Sequence, residues 1–498
     1  MPVKEIITEI SQPTVPAPTR PTASLPTKVG FVSLGCPKNL VDSEVMMGML
    51  AQGGALLTPD AAEADVIVVN TCSFIGTAQQ ESIDTILEMA RHKTNGKAKR
   101  LVVAGCLVER FHDEIRKNIP EVDAVVGTGE LEKILSAAGV AQAPSTPSPF
   151  NILTSRPEGD HRRTQGRFAR DSWDGAVADL PNYLYDDHTP RVLTTPGYSA
   201  YIKIAEGCDH PCTFCIIPQL RGQFRSRRFE SVIAEAERLA HSGVREITLI
   251  GQDTTCYGED LGLKDGLALL LEKLAAIKNL RWIRFLYAYP NKITGRLLDT
   301  IAAHDNICSY IDVPLQHASA TVLKRMKRGG GADLFLRSIE KMRRVIPGVT
   351  LRTSFIVGFP GETEKEFEEL HSFVKEAAFD WMGAFAYSDQ EGAGAYDHEK
   401  KVSTREIEAR RKSLMSLQKK ISKAKKKSLV GHEFDLLLEG PSAESDLLLE
   451  GRTAMHAPEI DGTVFVNDYP EGNEPKEGEF YRCRITAAHD YDLVAEIV

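Results

Sequence analysis

Most of this chain is governed by one alternation: short apolar, β-branched runs, each followed by a helical pattern. Between residues 28 and 140 the runs lie at 29–34, 65–70 and 101–104, with helical periodicity after them at 42–52, 77–91 and 109–119. Strands separated by helices pair in parallel, because the helix returns the chain to the same end of the sheet. The pattern resumes over 198–390. Candidate strands there are 201–205, 246–250, 283–288, 309–313, 351–357 and 384–387, with helices between them, for example at 228–242, 266–277 and 363–377. Six such units predict a partial (βα)6 relative of the parallel barrel. In both blocks ligands are expected at the carboxyl ends of the strands.

The alternation breaks in three places. Residues 1–27, rich in Pro, Thr and Ser, read as a disordered tail. Residues 141–197 lose periodicity: Ala143-Pro144-Ser145-Thr146-Pro147-Ser148-Pro149 is a linker, and the polar 155–190 stretch is an ordered or partly ordered excursion. Past residue 390 the pattern changes to a basic amphipathic helix at 402–430, with Ile407, Leu414 and Ile421 seven apart, and then to short alternating strands at 433–438, 463–466 and 481–487. The strands predict a small antiparallel β-barrel. The expected organisation of this α/β chain is a tail (1–27), a parallel-sheet domain (28–140), a linker or excursion (141–197), the (βα)6 barrel with its basic helix (198–430) and the small barrel (431–498). At 498 residues the chain is too long for one core. Its apolar runs fall short of the roughly 18 residues that span a membrane, and its N-terminus has no signal pattern. The expected location is cytoplasmic, with no membrane partner.

Nine cysteines, spread widely, do not make a disulfide scaffold. Cys36, Cys72 and Cys106 each stand at the carboxyl end of a predicted strand, so they are expected to converge; the bland alternative is three unrelated buried thiols. Cys208, Cys212 and Cys215 form C-x3-C-x2-C in Glu206-Gly207-Cys208-Asp209-His210-Pro211-Cys212-Thr213-Phe214-Cys215, just after the first barrel strand. Three thiolates on one tight loop suit three irons of a four-iron cubane and leave the fourth iron open. Structural zinc wants four ligands, and His210 lies inside the loop, where its reach is awkward. Cys256, Cys308 and Cys483 read as small buried hydrophobes.

A C-x3-C-x2-C at the end of a first barrel strand resembles the signature of the radical S-adenosylmethionine superfamily. The resemblance implies that the open iron chelates S-adenosylmethionine, whose reductive cleavage yields a 5′-deoxyadenosyl radical. Later strand ends fit such a barrel: Leu249-Ile250-Gly251-Gln252-Asp253, Asp312-Val313-Pro314-Leu315-Gln316-His317, Arg352-Thr353-Ser354, and Val357-Gly358-Phe359-Pro360-Gly361-Glu362-Thr363. Gln252, Gln316, Arg352 and Glu362 are the candidates for positioning the cofactor. Thr363 is expected as a helix N-cap, and His317 alone reads as structural. Over residues 28–498 the chain resembles the methylthiotransferases, which join a three-cysteine domain, a radical-SAM barrel and a TRAM β-barrel. That implies two [4Fe-4S] clusters, an auxiliary one on Cys36, Cys72 and Cys106 and a radical-generating one on Cys208, Cys212 and Cys215, with an electron-donor protein as partner. One molecule of S-adenosylmethionine would methylate sulfur held at the auxiliary cluster. A second would generate the radical.

The family divides by substrate. Ser33-Leu34-Gly35-Cys36-Pro37-Lys38-Asn39-Leu40-Val41-Asp42-Ser43-Glu44 is similar to the RimO-type branch, which converts an aspartate of protein twelve of the small ribosomal subunit to 3-methylthioaspartate. The branch acting on tRNA adenosine has Gly-Cys-Gln-Met-Asn at that place. Cys215-Ile216-Ile217-Pro218-Gln219-Leu220-Arg221-Gly222 also looks RimO-like, departing at Gln219-Leu220 from the commoner Ser-Met or Lys-Ile. Charge points the same way. Residues 431–498 hold 16 Asp+Glu against 4 Lys+Arg, net −12, which repels RNA and suits a basic ribosomal protein; the plain alternative is that the charge only keeps the domain soluble. Residues 401–430 hold 11 Lys+Arg against 2 Asp+Glu, net +9. Three readings stay open for this helix: a solvated face, packing on the acidic barrel, or contact with nearby ribosomal RNA. A tRNA adenosine methylthiotransferase and a non-enzymatic metal scaffold stand as the alternatives.

Overall fold

The computed structural model describes residues 26–140, 180–472 and 474–498. Most of the proline-rich tail, the 143–149 linker and most of the 155–190 excursion lie outside them. The described residues form two compact units. The first runs through Thr194 and includes Glu206–Pro211 and Cys215–Arg225; the second comprises Thr195–Ala205, Cys212–Phe214 and Ser226–Val498.

The first unit is a five-stranded parallel sheet. In chain order its elements are β1 (Lys28–Ser33), α1 (Pro37–Gln52), β2 (Leu56–Thr58), β3 (Val66–Thr71), α2 (Gly76–Asn95), β4 (Arg100–Gly105), α3 (Cys106–Asn118), β5 (Ala124–Val126) and α4 (Ile134–Ala138). Strand order is β2-β1-β3-β4-β5. Both faces are covered, so β3 opens on an unbroken apolar run, Val66–Val69. Val66 and Val68 join Met46, Met47 and Leu50 on one face, and Ile67 and Val69 join Ile86, Leu101 and Val103 on the other. Each fully buried side chain of this kind contributes about 1.5–3 kcal/mol. The described end of the excursion is tied to α1 through the buried Glu44 carboxylate, which accepts from Arg191 Nε (2.9 Å), Thr194 N (2.7 Å) and Thr194 Oγ1 (2.9 Å).

The second unit begins with the barrel. Its parallel strands are β6 (Ser199–Lys203), β9 (Glu246–Ile250), β10 (Trp282–Phe285), β11 (Tyr310–Asp312), β12 (Thr350–Val357) and β13 (Trp381–Ala386). Along the chain two short strands, β7 (Ala205–Glu206) and β8 (Arg225–Ser226), and α5 (Ile217–Arg221), which belongs to the first unit, follow β6. The order is β6-β9-β10 and then β11-β12-β13, with Ile283 bridging to Ile307 and Ala288 N donating to Asp312 O (2.9 Å) between the two halves. This is the predicted six-unit partial barrel. Between these strands lie α6 (Phe229–His241), α7 (Gly266–Ala275), α8 (Gly295–Ala303), α9 (Ala320–Arg325), α10 (Ala332–Val345) and α11 (Glu364–Ala377). Thr363 caps α11 as expected, in a capping box with Glu366.

The basic helix, α12 (Thr404–Lys427), buries Ile407, Arg410, Leu414, Gln418, Ser422 and Lys426, a stripe at helical spacing. It packs. Gln418 Nε2 donates to Phe379 O (3.0 Å), and Lys419 and Lys423 pair with Asp490 of the small barrel at 2.8 and 3.2 Å. That barrel is closed, from β14 (Glu433–Ser442), β15 (Ser445–Thr453), β16 (Val464–Asp468), β17 (Phe480–Ala488) and β18 (Leu493–Ile497) in the order β14-β15-β16-β18-β17. It departs from the antiparallel expectation in one pairing: β16 and β18 run parallel.

A buried charge knot joins the two barrels of this unit. Glu246, the first residue of β9, accepts from Arg452 Nη2 (2.6 Å), Arg452 Nη1 (3.2 Å), Ser199 Oγ (3.0 Å) and Arg284 Nη2 (3.5 Å). Arg284 also donates to Ala454 O (2.9 Å) and lies 4.6 Å over the Tyr310 ring. Burial works against the Glu246 carboxylate, but Arg452, Arg284 and Ser199 outweigh it and hold the carboxyl below its usual range. Replacing Glu246 by Gln leaves the buried Arg284 guanidinium without a carboxylate and leaves Arg452 only Glu439 (2.8 Å), so Glu246→Gln is expected to cost about 3–5 kcal/mol. Trp282, edge-on to Phe480, and Trp381, bonded to Met455 O, report the junction in a urea titration followed by tryptophan fluorescence. Leu447→Ala, at a site 89% exposed, should change the same midpoint by no more than about 0.5 kcal/mol. Because the folded-state pKa is the lower one, the Glu246 contribution is complete above the ordinary glutamate value and is lost as pH falls through the depressed value.

Candidate metal centres

The strand order of the first unit reverses its winding between β1 and β3. In open α/β sheets ligands gather at that reversal, outside the carboxyl ends. Cys36 caps α1 just past β1, Cys72 follows β3 directly, and Cys106 follows β4 directly as the first residue of α3. Register pairs Ser33 with Asn70, Asn70 with Ala104 and Thr71 with Gly105, so the three leave the sheet at nearly one level. They do converge. Burial, with Cys106 and Cys36 beside it, pushes the Cys72 thiol up to about 12. Burial likewise raises Cys106, against the opposing charge of Arg221. Buried thiols grouped this way ionise only when positive charge compensates them, and the amino ends of α1 and α3 supply a little of it.

The pocket fits an iron–sulfur cluster. Gly35 has φ +95°, and a Cβ there would stand 2.8 Å from Cys72 Cβ and 3.0 Å from Cys72 Sγ. Gly105 has φ +93°, and its Cβ would meet Asn70 Oδ1 at 2.3 Å. Asn70 Oδ1 and Ser73 Oγ are buried without a hydrogen-bond partner among the described residues. A hydroxyl in that state next to Cys72 is a donor suited to sulfide or thiolate. Beneath the pocket α1 supplies a polar lattice. Asn39 Nδ2 donates to Leu34 O (2.6 Å), and Asn70 Nδ2 donates to Asn39 O and Ser43 Oγ (2.8 Å each). Ser82 Oγ accepts from Cys72 N (3.0 Å) and donates to Cys72 O (2.9 Å).

Cys208, Cys212 and Cys215 lie between β7 and α5, all half-buried. In the first unit Cys208 N donates to Gly222 O (3.1 Å), and a Cβ on Gly207 (φ +80°) would stand 2.1 Å from Gln223 O. In the second unit Thr213 N donates to Met326 O (3.1 Å) and Thr213 O accepts from Ala395 N (2.7 Å). Arg328 Nη1 donates to Cys212 Sγ (3.5 Å), Nη2 donates to Pro314 O (3.0 Å), and the guanidinium lies 4.4 Å over the Tyr289 ring.

Gln252 is half-buried two residues past β9, and Gln316, at φ +72°, is half-buried and pairs through its backbone with Ser354 and Ile356. Arg352 sits in the amino half of β12, donating to Asp312 Oδ1 (3.0 Å) with Asp461 at 3.4 Å. Glu362 accepts from Gly358 N (2.7 Å), Phe359 N (3.2 Å) and Arg410 Nη1 (2.9 Å), fixing the glycine turn after β12. His317 is fully buried, accepts from Ser319 N (2.9 Å) and is driven by burial down to about 3, the neutral structural histidine expected. Cys308 and Cys483 are buried hydrophobes as expected, whereas Cys256 is half-buried with its thiol on Asp253 Oδ2 (3.0 Å), because a polar loop replaces the predicted apolar setting. Two contacts were not foreseen from the sequence, although Arg221 lies in the RimO-like stretch 215–222. Arg221 and Arg328 each place a guanidinium on one cysteine sulfur, and nothing in their spacing announces it.

The arrangement defines the class: a radical-SAM barrel joined to a three-cysteine parallel-sheet domain and a TRAM barrel. Family patterns match accordingly. The family described as Uncharacterized protein family UPF0004 covers residues 28–127, the Radical SAM superfamily 202–374, and the TRAM domain 430–498. The chain is 69% identical to a "Ribosomal protein uS12 methylthiotransferase RimO" of Koribacter versatilis (strain Ellin345), over 95% of this chain and 97% of that one. It is 57% identical to a relative of the same description in Solibacter usitatus (strain Ellin6076), over 95% of each. Among solved structures, the radical S-adenosylmethionine methyltransferase TsrM from Kitasatospora setae shares the fold at 15% identity and TM-score 0.50, over 75% of this chain and 74% of that one. The chain belongs to the RimO family of ribosomal protein uS12 methylthiotransferases.

Two glycines with similar backbone strain isolate the crowding at the first pocket. Gly54→Ala (φ +89°, nothing within 4 Å) should cost about 1–2 kcal/mol from backbone alone. Gly35→Ala should cost about 1–3 kcal/mol more, since its Cβ meets Cys72. Urea midpoints of the two variants measure the difference.

Proposed function

We propose that this chain is a radical-SAM methylthiotransferase that converts an aspartate of ribosomal protein uS12 to 3-methylthioaspartate. The observation that carries the substrate is the 69% identity, over nearly the whole of both chains, with a relative bearing that description. The enzyme uses two [4Fe-4S] clusters and S-adenosylmethionine. In our reading Cys36, Cys72 and Cys106 hold the auxiliary cluster, and Cys208, Cys212 and Cys215 hold the one that binds S-adenosylmethionine. When bound, these groups supply a radical able to remove hydrogen from an unactivated carbon and the sulfur that replaces it.

The protein's own residues hold and exclude. The fit of the first pocket, with its orphaned Ser73 hydroxyl and its two glycines, supports the auxiliary assignment. Gln252 and Gln316, at barrel strand ends, are our candidates for direct contact with S-adenosylmethionine. Glu362 acts behind them by fixing the amides of Gly358 and Phe359, and Arg352 by orienting Asp312, whose Oδ2 accepts from Tyr287 N (2.9 Å).

The C-terminal barrel supports a protein substrate over tRNA. Its arginines are spent on carboxylates: Arg452 on Glu246, Arg482 on Glu433 and Asp435, Arg484 on Glu433 and Glu496. The net −12 surface favours a basic partner. An electron-donor protein, ribosomal RNA near the docked substrate and a cytoplasmic location complete the reading. Among the described residues no helix is long and apolar enough to cross a membrane.

Anaerobic turnover with uS12, S-adenosylmethionine, sulfide and a reductant should add one methylthio group to a single aspartate, read by peptide mass spectrometry. Cys72→Ala should abolish that product while 5′-deoxyadenosine still forms; Cys212→Ala should abolish both. A deletion strain whose tRNA loses a methylthio group while its uS12 is unchanged would sink the protein-substrate reading.

A further inference from the structure

We propose that Arg221 is a positioning residue for the auxiliary cluster, and that its hydrogen bond to Cys106 helps set that cluster's reduction potential. The inference rests on the cluster assignment above and adds a residue that ligates nothing.

Arg221 ends α5, the short helix that follows Cys215. Its side chain is 3% exposed, yet it is polar on every arm. Nη2 donates to Cys106 Sγ (3.3 Å) and Asn39 Oδ1 (3.0 Å); Nη1 donates to Asp42 and to Glu206 Oε2 (3.3 Å). The backbone beneath is fixed as well. Leu220 packs on Cys106 and Ile216, and Leu220 O accepts from Thr128 Oγ1 (2.6 Å). All of these groups lie in the first unit.

A buried guanidinium surrounded by carboxylates is a poor device for stability, since an apolar side chain of similar volume usually serves as well. What the fork offers instead is placement. Two carboxylates hold one arm, and that aims the other arm at a sulfur. A charged N–H donor on a thiolate withdraws electron density and favours the more negative, reduced state of a cluster, so it raises the potential. Lysine cannot reproduce this, because a compact ammonium does not span Asp42 and Cys106 together. The same fork closes the base of the other cysteine loop, because Glu206 precedes Cys208 by two residues and Arg221 follows Cys215 by six. One side chain therefore touches a ligand of the first set and both flanks of the second.

The test uses the full chain with Cys208→Ala, Cys212→Ala and Cys215→Ala, so that only the auxiliary site remains. This parent, its Arg221→Lys version and its Asp42→Asn/Arg221→Gln version are reconstituted anaerobically. Iron is counted, and the potential is read by a redox titration followed by electron paramagnetic resonance. The parent should hold about four irons. Arg221→Lys should keep them, with a more negative potential and an altered spectrum, and the double variant, which removes one of the two carboxylate charges left by the loss of the guanidinium, should shift the same way. Iron lost from Arg221→Lys with unchanged circular dichroism also supports positioning, because only the donor geometry has changed. Equal iron, potential and spectrum in all three overturn the proposal, as does loss of iron together with the secondary-structure signal. A parent that builds no four-iron cluster overturns the cluster assignment itself.

Discussion

Parallel strands end together, and that constraint organises the chemistry of this protein. A crossover helix delivers every strand of a parallel sheet in the same direction, so residues just past the strands share one edge whatever their separation in sequence. Cys36, Cys72 and Cys106 are scattered along the chain, yet the register of β1, β3 and β4 sets them side by side. In the barrel the same rule places Gln252, Gln316 and the turn at Gly358 after their strands.

The amino halves of the barrel strands carry the opposite burden. Glu246, Tyr310, Arg352 and Trp381 are there, with Arg284 further along β10, and each is answered by the segment Arg452–Asp461 of the TRAM barrel. The partners are Arg452 for Glu246, the Ala454 carbonyl for Arg284, Asp461 for Tyr310 and Arg352, and the Met455 carbonyl for Trp381. Polar groups buried at a domain junction are costly unless each finds a partner. Here the end of β15 and the loop between β15 and β16 supply the partners. Parallel barrels generally keep reaction groups at the carboxyl edge and structural pairing at the other.

The sequence made the first of these edges legible and hid the second. β-Branched runs followed by helical patterns located β3, β9 and β12 within a residue or so, because strand and helix periods differ and both faces are buried. It missed β2 and β5, at three residues each too short to show a period, β15, whose Leu447-Leu448-Leu449 run breaks the alternation, and β18, at five residues. The cysteine sets were readable because spacing and strand-end position are local facts. Arg221 and Arg328 were not. An arginine after a helical turn looks like any surface cation, and only the tertiary fold shows that Arg221 turns inward to Asp42, Asn39 and Cys106. Asn39, Asp42 and Ser43 carried a weaker signal, as polar residues on a helix whose remaining positions are mostly apolar.

Charge separation along the C-terminal third follows from the same pairing rule. A +9 segment preceding a −12 domain suggests two charged faces for two partners, but most of the positive charge is used within the chain. Arg410 is held by Glu362, Glu364 and Glu406, Arg411 by Glu408, Lys401 by Asp389, Lys425 by Asp380, and Lys419 and Lys423 by Asp490. Lys426 lies buried over Trp381, 3.6 Å from the ring centroid, where desolvation lowers its pKa to about 8. Of these carboxylates only Asp490 belongs to the C-terminal barrel, so the helix neutralises little of that domain's acidity. Much of the basic segment is thereby used in ion pairs and packing within the chain.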